Sequence, residues 1–71
     1  MEPTGKMVAA MRLVTQADAT YSTLRAAWYA AFYADDTVRM DRLDGIRLRA
    51  LARLERRNEA YRVLVYGAVQ P

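Results

Sequence analysis

Seventy-one residues without Cys or His make one small domain at most, and one with no disulfide or thiolate or imidazole metal site to hold it together. The same two absences remove the common neutral-pH proton shuttle and the strongest side-chain nucleophile, so the expectation is no enzyme, no cofactor and no metal. Eleven basic residues against eight acidic give a net charge of +3, and ten of the eleven are Arg, a balance that permits an anionic partner without requiring one.

The chain opens with a tail or cap over residues 1–5, in which Thr4 is the natural N-cap. A first helix is predicted over about 5–34, uninterrupted by Pro or by Gly after its start. Its organising feature is a seam: Met7, Ala10, Val14, Ala17, Tyr21, Leu24, Trp28 and Ala31 recur in steps of three and four. That is the seven-residue period of helices that pack side by side. The first half of this helix is two-faced. The second half, Ala26 to Ala34, is apolar or aromatic on every side, and a single neighbouring helix cannot cover such a segment. Trp28, Tyr29, Phe32 and Tyr33 are therefore the candidate protein-interface residues, weighed against the alternative that the tyrosines are ordinary surface with wet hydroxyls.

Asp35, Asp36 and Thr37 break the pattern and form a predicted turn over 35–37, with Asp36 or Thr37 as the N-cap of the next helix. That second helix is predicted over about 38–66. Its apolar face is Met40, Leu43, Ala50, Leu51, Leu54, Tyr61, Leu64 and Val65, with Arg47, Arg57 and Asn58 at the margins. Asp44 and Gly45 form a turn-prone pair and a site for a kink, but the apolar face keeps its phase across them, which favours a continuous helix. The run 61–66 has strand-like composition; with no other strand to pair with, it reads as helix, ended by Gly67 as the C′ residue and followed by a tail.

Two helices of similar length joined by a short connection pack antiparallel. The expected fold is an all-α helical hairpin, one domain over 1–71, completed to a bundle by oligomerisation or by docking on a partner. With the turn centred near residue 36, Trp28 faces Leu43, Leu24 faces Arg47 or Leu48, Tyr21 faces Leu51 and Met7 faces Val65. On the second helix Arg39, Arg42, Arg49, Arg53 and Arg56 share one flank of the apolar face, and Asp41, Asp44, Glu55 and Glu59 the other. Pairs Asp44–Arg47 and Glu59–Arg62 have ion-pairing spacing.

The functional expectation is a small protein–protein interaction module: an adaptor, inhibitor or structural subunit that uses the aromatic patch and is oriented by the Arg flank. The alternative is a nucleic-acid-binding regulator whose five arginines contact phosphate, although no zinc finger or helix-turn-helix motif is present. No Gly-rich phosphate loop exists and no small-molecule substrate is expected. The longest uncharged apolar run, Ala26 to Ala34, is far short of the ~20 residues a membrane span needs. With no signal-peptide core at the N-terminus, the expectation is a soluble cytoplasmic protein.

Overall fold

Two capping residues decide where the helices begin. In the structure, a computed structural model that describes residues 4–69, the Thr4 hydroxyl accepts from the Met7 amide at 3.2 Å and the Thr4 carbonyl from the Val8 amide at 3.0 Å. This opens α1, Gly5–Tyr33. The Asp36 carboxylate accepts from the Arg39 amide at 3.1 Å and its carbonyl from the Met40 amide at 3.0 Å, which opens α2, Thr37–Val69. Asp36, not Thr37, is the cap, so the turn sits one residue earlier than expected and Thr37 is already helical.

The link between the helices is a tight C-terminal motif. The Asp36 amide reaches back to the Ala31 carbonyl at 2.9 Å and the Asp35 amide to the Phe32 carbonyl at 3.1 Å. Those two bonds satisfy carbonyls that the last helical turn would otherwise leave bare. They require a left-handed residue between them. Asp35 fills that position at φ +57°, a conformation that glycine adopts most freely and that Asp tolerates through its short polar side chain.

The seam predicted along α1 is the line that meets α2. Met7, Ala10, Val14, Tyr21, Leu24 and Trp28 are half-buried, and Ala17 and Ala31 are buried at 6% and 2% exposure. Opposite them Met40, Leu43, Ala50, Leu51, Leu54, Tyr61, Leu64 and Val65 are all half-buried. Small residues on α1 let the larger side chains of α2 come close, and this is why the two buried residues of the seam are alanines. Of the two candidates for the place beside Leu24, Arg47 is half-buried and Leu48 is exposed, so Arg47 belongs to the seam.

α2 is continuous through Asp44 and Gly45, because the phase of its apolar face rewards helical continuation more than one glycine costs. The same holds at Gly67, and here the expectation of a helix end fails. Gly67 stays helical with negative φ and α2 runs on to Val69. A glycine permits the left-handed turn but does not compel it, and Ala68 and Val69 both carry the backbone amide that continuation needs. The rest of the expected tail, 70–71, and residues 1–3 lie outside the described residues.

The hairpin measures 53 × 15 × 13 Å with a radius of gyration of 16.0 Å. A compact chain of this length would have a radius near 11 Å. Among the described residues no large side chain is fully buried, and no helix is long and apolar enough to cross a membrane.

Candidate interaction surface

The turn end of the hairpin gathers the aromatic residues into one ladder. At 100° per residue, Trp28 points along the seam while Tyr29, Phe32 and Tyr33 project from one side of it. The rings touch in sequence. Tyr29 meets Trp28 edge-on with centroids 5.2 Å apart, Trp28 stacks with Phe32 at 5.7 Å and an interplanar angle of 16°, and Phe32 meets Tyr33 edge-on at 5.5 Å. These separations and angles are the ones ring quadrupoles favour. Trp28 is half-buried; the other three rings are exposed, Tyr33 at 82%.

Arg47 anchors the ladder from α2. Its guanidinium lies 5.2 Å from the Trp28 ring centroid, and its terminal nitrogen donates to the Asp44 carboxylate at 2.7 Å. The Asp44 hydrogen bond holds the Arg47 guanidinium above its ordinary pKa, against the opposing pull of partial burial, with the Asp44 charge and Tyr21 acting in the same direction. The side chain is 24% exposed, and its Nε is buried with no hydrogen-bond partner. An ion placed in an apolar seam favours one register of the helices even where it adds little net stability, because a slip would carry it off Trp28, while Asp44, on the same helix, would move with it. The sequence spacing places Arg47 at the margin of the apolar face; its stacking on Trp28 emerges only from the pairing of the two helices.

The arginine flank is separate from this ladder. Arg39, Arg42, Arg49, Arg53 and Arg56 are all exposed. Arg49 and Arg53 line an open groove with Thr20 and Leu24, and Arg53 lines a second with Gln16 and Thr20. Arg57, assigned by spacing to the apolar margin, is exposed and lines the second of these grooves and a further one with Arg53 and Arg56. It therefore joins the flank. The signal was present: Arg57 follows Arg39 by five full helical turns and shares its phase. By helical phase the same side of α2 carries Val38, Ile46, Ala60 and Val63, and no acid. The acids are on the other side of α2, where both expected ion pairs form: Arg47–Asp44, and Arg62–Glu59 at 3.6 Å.

The hairpin thus has two unlike broad faces. One carries the arginine flank beside Gln16 and Thr20. The other carries the aromatic ladder and charges of both signs. Comparison with protein-family models, curated proteins and solved structures finds no match for the chain.

Proposed function

We propose that this hairpin is a protein-interaction module whose contact surface is the aromatic ladder at its turn end. One observation carries the reading: three of four touching aromatic rings are exposed on a hairpin whose seam, among the described residues, buries only Ala17 and Ala31. Aromatic side chains are the usual anchors of protein interfaces, and rings already held against one another lose little freedom on docking. The arginine flank would orient or steer the partner. Light scattering with circular dichroism on the same sample tests this. Tyr29→Ala with Tyr33→Ala is expected to abolish association and leave helicity nearly unchanged. Loss of helicity in step with association would assign the rings to the fold, and unchanged association would remove them from the interface.

A second reading, nucleic-acid binding, is supported by the arginine flank itself, an acid-free row of exposed arginines along α2. Arginines at helical spacing can follow a phosphate backbone. Titration with single-stranded and duplex oligonucleotides at several salt concentrations tests it. Affinity that falls steeply with salt supports it, and no salt-sensitive binding ends it.

A further inference from the structure

We infer that the occupant of the aromatic face is a second copy of this chain, packed antiparallel along α1 about a twofold axis beside Ser22. This rests on the interaction reading above and names its partner.

Beside the seam, α1 carries a second seven-residue repeat: Met11, Asp18, Arg25 and Phe32, with Ser22 between the two charges. These residues fall on one stripe roughly 30 Å long by helix rise, and all are exposed. The stripe is chemically self-complementary when reversed. With the axis beside Ser22, midway between residues 21 and 22, Met11 of one copy meets Phe32 of the other, and Asp18 meets Arg25, each contact made twice. The small Ser22 comes beside its own copy where the helices come closest, on a shallow groove lined by Ser22, Arg25, Ala26 and Tyr29. Thr15, which falls near Tyr29 of the other copy, already donates its hydroxyl to the Met11 carbonyl at 3.0 Å, so closing the contact strands no donor there.

Charge selects both orientation and face. Asp18 and Arg25 are two turns apart, about 10 Å along their own helix, too far to pair within one copy. The ion pairs within the described residues involve neither of them. Parallel packing would set Asp18 on Asp18 and Arg25 on Arg25. A closed twofold contact also sets each surface against itself, which the arginine flank cannot tolerate. The acids of α2 lie on the aromatic side and would oppose their own copies as well, so the contact follows α1 with the α2 helices to the outside. Both arginine flanks then face solvent.

The surface area agrees. The hairpin exposes 5566 Å², against about 4,500 Å² for a compact monomer of its mass. The excess of roughly 1,000 Å² follows from the 53 × 15 × 13 Å shape and leaves room for the ~800 Å² each partner contributes to a standard interface.

Charge reversal tests the axis. Solution mass and circular dichroism would be measured for the unmodified chain, D18R, R25D and the double variant D18R/R25D. The unmodified chain is expected to be a helical dimer. Each single reversal should weaken dimerisation about tenfold or more by creating two like-charge contacts, and the double variant should restore it. A monomeric unmodified chain overturns self-association and leaves the aromatic ladder open to another protein. A dimer indifferent to the single reversals, or a double variant that stays monomeric, overturns the antiparallel axis. Rescue by charge reversal in a chain whose dimer ignores Tyr29→Ala with Tyr33→Ala would keep the axis and reject the aromatic anchor.

Discussion

The two broad faces of the hairpin differ in how their residues spend their interactions. On the aromatic side, side chains contact one another: four rings in sequence, Arg25 over Tyr29 at 5.6 Å, Arg62 over Tyr66 at 5.8 Å, and two ion pairs. On the arginine side helical phase sets the cations of α2 among small or aliphatic residues and turns the acids to the other flank. A face whose groups are already ordered by contact loses less entropy when a surface closes on it, whereas a row of extended, solvated cations acts at longer range and through salt-sensitive attraction. On the proposed reading one face serves close packing and the other electrostatic capture.

Trp28→Ala should disturb this division most, because Trp28 stands where the ladder meets the seam. Its loss removes the stack under Phe32 and the platform of Arg47, and is expected to cost about 3 kcal/mol, the low end for a buried aromatic, since the ring is only half-buried. Thermal melts should show a large fall in midpoint, and association should weaken with it. A midpoint close to that of the unmodified chain would mean the ladder stands apart from the fold.

Arg49→Ala with Arg53→Ala should sharpen the division by touching one face alone. If that flank binds phosphate, the slope of log affinity against log salt should flatten by about 1.5, from two lost contacts. Self-association measured on the same variant should not change. A parallel loss of both would show that the two faces act as one surface.

Asp36→Ala removes the carboxylate that caps α2 and should cost about 1 kcal/mol by urea titration, with both faces weakened only as far as the hairpin is. Asp35→Gly should act in the opposite sense. Relief of the left-handed aspartate is expected to add about 0.5 kcal/mol, raising the melting midpoint by a few degrees without changing either face. A lower midpoint would mean that the Asp35 side chain contributes more to the turn than its backbone strain removes.

Both helices, the seam and its partner face, the Thr4 cap, the i,i+3 ion pairs and the arginine flank are all legible in one dimension. Each depends on spacing along a helix, and helix geometry converts spacing into position without reference to the rest of the chain. Where spacing and local preference conflict, legibility ends. Gly67 has the composition of a stop, yet helical continuation was available and the helix took it. Asp35 is an uncommon choice for a left-handed residue, and its role is visible only once Asp36 bonds back to Ala31.

By itself, the sequence determined an all-α hairpin with an apolar seam along α1, a charged second helix and no thiol or imidazole chemistry. Only the tertiary structure decided that Arg47 and not Leu48 enters the seam, that Arg47 stacks on Trp28, and that the aromatic side of α1 lies across the hairpin from the arginine flank of α2. Helical phase says which way a residue points on its own helix. What it meets depends on the register of two helices, which the turn at Ala34–Asp36 and the packing of large side chains over Ala17 and Ala31 set together.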